Sequence, residues 1–416
     1  MRRLRTSLRG PVLHTFKIVA VIAMAAVAAP VRVAAAPPSK PCASLETRAP
    51  NAPGQRPAFS EQTRACAAKT QATINVVVIA KGLQKPWGVE PLPNGDLLVT
   101  EKAGVLRMVS AQGAVSEPIA GVPAVDSGGQ GGLLDVAISP AFARDRTIYF
   151  SFTEPRRGGN GTSVARAVLA PDGKRLDAVK IVFRALPTYD NGMHFGSRLA
   201  FGPDGALFIT TGDRSDTPMR KYAQDLGSHL GKVLRIKAQG GAPADNPFKD
   251  KPAPEVWSLG HRNIQAAAVD ARGRLWIVEH GPRGGDELNL IKKGRNYGWP
   301  RVSFGEEYSG ASIPDAVTER AGYESPVYYW DPVIAPSGAQ FYSGNLFPEW
   351  RNNLFVGALK ERRLVRLVIE NDKVVGEEHL LVDRGERIRD VRQGPDGALY
   401  AVTDSDAGEL WKIAPR

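Results

Sequence analysis

The sequence predicts an all-β protein, a six-bladed β-propeller of four-stranded antiparallel sheets. Three observations support this prediction. Short β-branched runs alternate with turns rich in Gly, Pro, Asn and Asp, and helical periodicity is almost absent beyond residue 74. In addition, one pattern recurs, in which Pro-Asn-Gly or Pro-Asp-Gly joins two apolar runs. Pro presets the turn, Asn or Asp bonds nearby backbone and Gly accepts positive φ, so each copy predicts a hairpin.

Six copies of this hairpin follow one another along the chain, roughly 45–75 residues apart. Four close copies and two looser ones lie at 88–101, 199–213, 266–281 and 390–404, and at 133–154 and 339–359. Radial repetition of a small sheet is typical of a propeller, and a β-sandwich or two separate β domains is the alternative. The inserts at 214–255 and 301–335 are predicted to be loops on one face, where functional groups concentrate.

The first 36 residues have the composition of a secretory signal peptide, so we expect a periplasmic or secreted protein. Four arginines precede an Ala/Val-rich run, and three alanines follow at 34–36. An uncleaved anchor is the alternative, but the run is short and Pro30 and Arg32 interrupt it. No other run approaches the roughly 20 apolar residues of a membrane span, so no stable membrane insertion is expected. Residues 37–74 are predicted to be an irregular segment, which leaves 75–416 for the propeller.

The charge of the chain argues against nucleic acid as a partner. The first 36 residues hold six of the 54 basic residues and none of the 43 acidic ones, so the remainder carries only +5 instead of +11. No basic stripe with interleaved aromatic residues is present. Cys42 and Cys66 allow one intramolecular disulfide, which we expect in an exported protein, and two free thiols are the alternative.

Several polar residues near strand ends are candidates for chemistry. His194 precedes a strand and Asp213 follows the next one, so both can face one rim. A carboxylate orients a histidine and raises its basicity, as a general base requires, although a loop histidine beside a turn-capping aspartate would look the same. Arg262 and Asn263 could clamp an anionic or carbonyl oxygen, although a structural arginine is the commoner case.

A glycine-rich loop and a basic cluster complete the candidates. The segment GPRGGDE at 281–287 offers carbonyl oxygens at Gly281 and Pro282 and a carboxylate at Glu287, which suit Ca²⁺, although a plain surface turn is the alternative. Arg387 and Arg389 share one face of an extended segment, and with Lys360 they could bind a small polyanion or simply face solvent. No G-x-S-x-G, H-E-x-x-H or C-x-x-C-H motif occurs, and no G-x-G-x-x-G opens a helix.

Seven motifs occur in an order that resembles a known family. They are GGQGGLLDVAISPAF, HFGSRLAFGPDG, SLGHRN, EHGPRGGDE, GRNYGWP, ALKERRLVRL and RIRDV. The chain resembles the soluble aldose sugar dehydrogenases, quinoproteins related to the soluble glucose dehydrogenases that use pyrroloquinoline quinone (PQQ). The resemblance covers residues 75–415 and implies oxidation of aldose sugars at C1 to lactones, with PQQ and Ca²⁺ as cofactors and an unknown electron acceptor.

The resemblance also implies a role for each candidate residue. The base that takes the C1 hydroxyl proton would be His194, oriented by Asp213, while hydride passes from C1 to the quinone. By the same resemblance, the quinone carbonyls would be bound by Arg262 and Asn263, and the PQQ carboxylates and quinone oxygens by Lys360, Arg387 and Arg389. The sugar would contact Gln130 and Trp330. The Ca²⁺ that also binds PQQ would be held by Gly281 and Pro282, and a second Ca²⁺ by Glu287, Tyr297 and Glu307.

Two departures from the family pattern matter. His280 stands where the glucose enzymes have Gln, and the segment between Tyr297 and Trp330 is much shorter than in those enzymes, where it supplies dimer contacts. A monomer is therefore expected rather than a dimer. A Ca²⁺-dependent propeller lactonase and a non-catalytic carbohydrate- or protein-binding propeller remain as alternatives. A lactonase would need carboxylates converging on one central metal and would have no use for the basic cluster.

Overall fold

The computed structural model describes Gly10 and residues 42–416, and the predicted signal peptide at 1–36 otherwise lies outside the described residues. Residues Cys42–Arg416 form one unit, in which six antiparallel sheets are arranged as the blades of a propeller. The predicted all-β fold with six blades is confirmed. Five blades have four strands, and the first has three among the described residues. After its third strand, the chain turns at Gly113 and runs back along β4 with only scattered backbone hydrogen bonds, such as Ser116 N–H to the Met108 carbonyl, before it enters the loop that contains Gln130.

Blade 1 consists of β2 (Pro86–Pro91), β3 (Leu97–Glu101) and β4 (Val105–Val109). Blade 2 consists of β5 (Leu133–Ile138), β6 (Thr147–Arg156), β7 (Gly159–Leu169) and β8 (Leu176–Arg184). Blade 3 consists of β9 (Leu199–Phe201), β10 (Leu207–Thr210), β11 (Lys232–Ile236) and β12 (Val256–Leu259). Blade 4 consists of β13 (Ile264–Val269), β14 (Leu275–Glu279), β15 (Asp286–Leu290) and β16 (Tyr328–Trp330). Blade 5 consists of β17 (Pro336–Phe341), β18 (Leu354–Ala358), β19 (Arg363–Glu370) and β20 (Lys373–Leu380). Blade 6 consists of β21 (Ile388–Gln393), β22 (Leu399–Thr403) and β23 (Gly408–Pro415), together with β1 (Ile74–Leu83).

Helices are short in the described part of the chain. One α-helix, α1 (Phe142–Asp145), and four 3-10 helices, Ser60–Gln62, Thr217–Gln224, Pro348–Trp350 and Val382–Arg384, lie between strands or before them. No helix within residues 42–416 has the length and apolarity needed to cross a membrane.

The ring is closed by both chain ends. The first strand of each blade contacts the first strands of its two neighbours, and β2 of blade 1 meets β21 of blade 6. The N-terminal strand β1 adds to the outer edge of blade 6, where Ile74 lies opposite Pro415. Six of the hydrophobic clusters each join one pair of neighbouring blades. Burial of apolar surface between blades therefore holds the ring together.

The segment before β1 is mostly turns and bends, and it packs along blades 4 and 5. Cys42 and Cys66 form the expected disulfide. The backbone N–H groups of Asn51 and Ala52 donate to the carboxylate of Asp331, which follows β16. These contacts tie the segment to the outer strand of blade 4, beside the glycine-rich loop at 281–287.

Candidate active site

Residues from all six blades line a cavity of about 360 Å³. Four of the predicted site residues lie on its wall: Gln130, Asn263, Arg387 and Arg389. The complete lining is Lys85, Trp87, Lys102, Gly129, Gln130, Leu134, Phe195, Gly196, Asn263, Gln265, His280, Ala335, Leu359, Arg387, Arg389 and Asp404. A cavity of this size, with convergent polar groups, has the dimensions of a small-molecule site.

His194 and Asp213 meet as the sequence predicted. His194 Nδ1 lies 2.7 Å from Asp213 Oδ1, and both side chains are buried. Asp213 also accepts hydrogen bonds from the Ser215 backbone at 2.8 Å and from Trp299 Nε1 at 2.7 Å. Because a carboxylate can only accept, the His194 proton belongs on Nδ1, and Nε2 keeps its lone pair. Trp299 is a site residue that sequence reasoning missed, although it lies in the motif GRNYGWP.

The protonation states of this pair suit a base. Burial and the positive charge of Arg262 hold the pKa of His194 below its usual value, although Asp213 acts in the opposite direction. Burial raises the pKa of Asp213, but the hydrogen bond and charge of His194 outweigh it, and the net pKa is lowered. At neutral pH the pair is therefore a neutral imidazole beside a carboxylate.

The backbone around His194 is fixed by close packing. Its N–H donates to Gln130 Oε1 at 2.9 Å, and the Gln130 N–H donates to the Gly192 carbonyl at 2.6 Å. A Cβ at Gly212 would lie 2.3 Å from the His194 carbonyl oxygen, so only glycine fits there. These contacts hold a non-glycine residue at φ +49°, a conformation that needs such support.

Arg262 and Asn263 lie side by side between the base and the glycine-rich loop. Arg262 Nη1 donates to the carbonyl oxygens of Gly281 at 2.8 Å and His280 at 3.2 Å, and its guanidinium lies 5.3 Å from the Trp299 ring centroid. Its Nε is buried and has no hydrogen-bond partner among the described residues. Asn263 Oδ1 accepts from the Gly196 N–H at 3.2 Å. Arg262 thus lies at a small void beside the glycine-rich loop, while Asn263 lines the main cavity.

His280 is a neutral member of the cavity wall. Burial, together with the charges of Arg262, His194 and Arg389, outweighs its bond to a carbonyl and lowers the pKa of His280 to about 3. Its Nε2 lies 2.6 Å from the Pro336 carbonyl, which can only accept, so Nε2 carries the proton.

The predicted basic cluster is only partly assembled. Arg387 and Arg389 both pair with Asp404, at 2.5 Å and 3.0 Å, and all three line the cavity. Asp404 was not predicted from the sequence. Lys360 is exposed in the turn after β18, and it is not among the lining residues. Lys85 and Lys102 supply cationic side chains to the wall instead, and neither belongs to a motif that pointed to them.

The predicted Ca²⁺ ligands surround one small void. Gly281, Pro282, Glu287 and Tyr297 line a space of about 10 Å³ together with Glu279, another residue that was not predicted. Burial and the neighbouring Glu279 raise the pKa of Glu287 well above its usual value. Two carboxylates and the backbone of a glycine-rich loop meet at this void, and this oxygen-rich donor chemistry fits a hard divalent cation.

The carbonyl-rich loop is held in shape by Asp286. Its carboxylate accepts from the backbone N–H groups of Gly281 at 2.9 Å, Ile334 at 2.9 Å and Ala335 at 2.8 Å. Within residues 42–416 no group of three or more His, Cys, Asp or Glu side chains could hold a metal. A cation here would therefore depend on backbone carbonyls as much as on carboxylates.

Two predicted residues are not brought to the site. Glu307 forms a bidentate pair with Arg220, in which Nη2 and Oε2 lie 3.0 Å apart. Trp330 lies in the core between blades 4 and 5, edge-to-face with Tyr328 at 5.2 Å between ring centroids. The structure therefore gives no support to a metal-binding role for Glu307 or a sugar-binding role for Trp330.

Comparison with known proteins places the chain in a family. The glucose/sorbosone dehydrogenase family model matches residues 83–412. The aldose sugar dehydrogenase YliI of Escherichia coli is 46% identical over 83% of this chain and 94% of its own length. A crystal structure of the Escherichia coli soluble aldose sugar dehydrogenase in the apo form covers 83% of this chain and all of that one, with 44% identity and a TM-score of 0.80.

A further similar structure is the PQQ-bound form of the aldose sugar dehydrogenase from Streptomyces coelicolor. It is 32% identical, covers 83% of this chain and 100% of its own, and has a TM-score of 0.68. The resemblance noted from the seven motifs is thus confirmed. The chain belongs to the glucose/sorbosone dehydrogenase family of sugar-oxidising enzymes.

Proposed function

We propose that this protein oxidises aldose sugars at C1 to lactones, with PQQ as hydride acceptor and Ca²⁺ bound beside it. The observation that carries the proposal is the His194–Asp213 hydrogen bond, which leaves Nε2 of the imidazole free to accept a proton, in a residue that immediately precedes Phe195 and Gly196 of the cavity wall. The named activity of the relatives and the PQQ-bound relative support it.

His194 would act as the general base. Its Nε2 accepts the proton of the C1 hydroxyl while the hydride leaves C1, and the negative charge of Asp213 stabilises the imidazolium that forms. Gln130, which holds the His194 backbone and lines the cavity, would contact the sugar.

The cationic wall would hold the cofactor. PQQ, when bound, supplies the electron sink for the hydride. Arg387 and Arg389 would bind its carboxylates, and charge-assisted bonds to guanidinium groups are strong enough to repay the loss of water around them. Arg262 and Asn263 would donate to the quinone carbonyls. Lys360 would have to reach the cavity from its exposed turn.

Ca²⁺ would bind through the carbonyls of Gly281 and Pro282, and a second ion through Glu287 and the Tyr297 carbonyl. Arg262 Nη1 bonds the Gly281 carbonyl in this structure, so binding of the first ion requires that hydrogen bond to be given up. Two observations support this arrangement: the predicted ligands share one void, and the neighbouring carboxylate of Glu279 raises the pKa of Glu287 together with burial, as expected where a cation would relieve the repulsion.

The lactonase alternative has less support. It needs several carboxylates on one central metal, and the described residues contain no such cluster. A non-catalytic propeller would not need His194 and Asp213 to converge. We further propose that the protein is exported to the periplasm or secreted, acts as a monomer and passes its electrons to an acceptor still to be identified.

Reconstitution of the purified apo-protein tests the proposal. Dye reduction with glucose, other aldoses and a disaccharide would be measured with Ca²⁺ alone, PQQ alone and both. We expect activity only with both, and its loss in His194→Ala with PQQ binding retained. A matched control is His379→Ala, since His379 bonds Glu377 outside the cavity. If PQQ neither binds nor confers activity, the proposal is wrong, and lactone hydrolysis becomes the next assay.

A further inference from the structure

Lys102 is a cavity residue with unused hydrogen-bonding capacity. It follows β3 in blade 1, and its Nζ donates to the Ser127 carbonyl at 3.0 Å. That is its only side-chain hydrogen bond within residues 42–416, and no carboxylate there forms an ion pair with it. An ammonium group has three N–H donors, so two remain for a ligand or water.

The backbone around Lys102 is built to hold it at this edge. Its N–H donates to the Lys85 carbonyl at 3.1 Å, and its own carbonyl accepts from the Leu133 N–H at 3.1 Å. A Cβ at Gly132 would lie 2.1 Å from the Lys102 carbonyl oxygen and 2.8 Å from its Cγ. Gly132, at φ +139°, therefore lets the stem of Lys102 pack against the loop that carries Gln130.

The positive charge around Lys102 is not balanced by protein acids. The cavity wall holds four cationic side chains, from Lys85, Lys102, Arg387 and Arg389, and one acidic side chain, from Asp404. Asp404 is occupied by the two arginines. Burial lowers the pKa of Lys102, the charges of Lys85 and Arg389 add to this effect, and those of Asp404 and Asp126 oppose it.

Lys85 and Lys102 also lie at the junction of the main cavity with a second recess. A recess of about 240 Å³ shares these two lysines with the main cavity. Lys85 Nζ lies 3.1 Å from Asp406, but both side chains are more than half exposed, and such a pair contributes little. Lys85 is therefore available to support a second cation at the same edge.

We propose that Lys102, assisted by Lys85, binds a carboxylate of the cofactor at the blade 1 edge of the cavity, opposite the end of the site that carries the glycine-rich loop. This inference rests on the proposed function. It adds Lys102 to the cofactor contacts that the sequence resemblance gave to Lys360, Arg387 and Arg389, and unlike Lys360 it lies on the cavity wall. The excess of three positive charges on the wall matches the three carboxylates of PQQ.

Titration of the apo-protein with PQQ in the presence of Ca²⁺ tests the proposal directly. Binding would be followed by calorimetry and by quenching of tryptophan fluorescence, since Trp87 lines the cavity. We expect Lys102→Gln to weaken PQQ binding about ten- to hundredfold, the usual effect of losing one hydrogen bond to a charged group. Lys102→Arg should restore most of the affinity. Lys81→Gln is the control, because Lys81 is 74% exposed and pairs with Glu409.

Each outcome separates this inference from the proposed function. If the unmodified protein fails to bind PQQ, the proposed function is wrong. If it binds PQQ and a folded Lys102→Gln variant binds with the same Kd, the inference is overturned. The inference is also overturned if Lys102→Gln leaves the PQQ Kd unchanged and raises KM only for anionic sugars, since the carboxylate partner would then be the substrate's. Unchanged thermal unfolding of the variant serves as the check on folding.

Discussion

Replacement of Asp213 by asparagine should disable the base while leaving the cavity intact. The carboxylate accepts from three donors: His194 Nδ1 and the Ser215 N–H at Oδ1, and Trp299 Nε1 at Oδ2. An asparagine has one oxygen and one NH₂ group. Whichever way it turns, the NH₂ group faces a donor, either the Trp299 N–H or the Ser215 N–H together with His194.

The size of the effect follows from these two orientations. If the NH₂ group faces His194, the imidazole proton moves to Nε2, and the base can no longer accept the sugar proton. If it faces Trp299, His194 keeps its tautomer but loses the negative charge that stabilises the imidazolium. A positioned general base contributes about 10²–10⁴ in rate. We expect kcat to fall by that factor, which corresponds to about 3–5 kcal/mol.

The assay is dye reduction by reconstituted Asp213→Asn under saturating PQQ and Ca²⁺. PQQ affinity should stay within about threefold of the unmodified protein, because Asp213 does not line the cavity and its charge is screened there. Asp383→Asn is the control, since Asp383 is 81% exposed. A folded Asp213→Asn variant with kcat reduced less than about fivefold would refute the assignment of His194 as base, given the range expected for such a base.

Three further predictions concern pH, metal and the disulfide. Since the pKa of His194 is lowered and its neutral form is active, kcat/KM should hold its plateau as pH falls to 6.5 and decline only below it. Glu287→Gln should reduce the rise in Tm that Ca²⁺ gives, because the second ion loses its carboxylate, whereas Glu307→Gln should retain the full rise. Replacing both Cys42 and Cys66 by serine should lower the free energy of unfolding by about 3 kcal/mol, from the entropy of a loop spanning 24 residues.

Contrary results would be informative in each case. A rate that declines well above pH 6.5 would mean that burial does not keep His194 neutral or that another group limits the reaction. Loss of Ca²⁺ stabilisation in Glu307→Gln but not in Glu287→Gln would move the second metal away from the void. An unchanged denaturant midpoint for the double serine variant would show that noncovalent contacts alone hold the segment before β1.

The fold was predictable because the hairpin signal is local. Each Pro-Asp-Gly or Pro-Asn-Gly turn specifies its two flanking strands, and six repeats fix the architecture. The strand number of blade 1 was not predictable in this way. A turn at Gly113 does follow β4, but the segment after it makes only scattered backbone hydrogen bonds to β4 and does not form a regular fourth strand.

The site was predicted where its residues lie in motifs and missed where they act at a distance. His194, Asp213 and Arg387 belong to recognisable segments. Asp404 and Lys102 lie in turns that look ordinary in sequence, and only closure of the ring brings them to the cavity. Trp330 shows what spacing leaves open, because it cannot tell whether a strand residue faces the rim or the core, where the structure places this side chain.

The floor of the site depends on charge pairing across the ring axis. Arg198 is fully buried, and its guanidinium pairs with Asp135 at 3.0 Å and Asp390 at 3.1 Å and donates to the Arg389 carbonyl at 3.0 Å. It also lies 4.0 Å from the ring centroid of Trp87, a residue of the cavity wall. One side chain from blade 3 therefore contacts blades 1, 2 and 6.

The contacts of Arg198 help to position Arg389, one of the residues proposed to bind the cofactor. Removing Arg198 would leave Arg392 as the one arginine among the described residues that pairs with both Asp135 and Asp390, and we expect the fold to be less stable as a result. Because Arg198 donates a hydrogen bond to the Arg389 carbonyl, its removal would directly loosen this residue of the cavity wall. Hydrophobic contacts between blades fix the ring, whereas the axial ion pairs fix the position of Arg389 within it. The ion pairs of Arg198 would thus help to hold Arg389 in position where we propose that the cofactor binds.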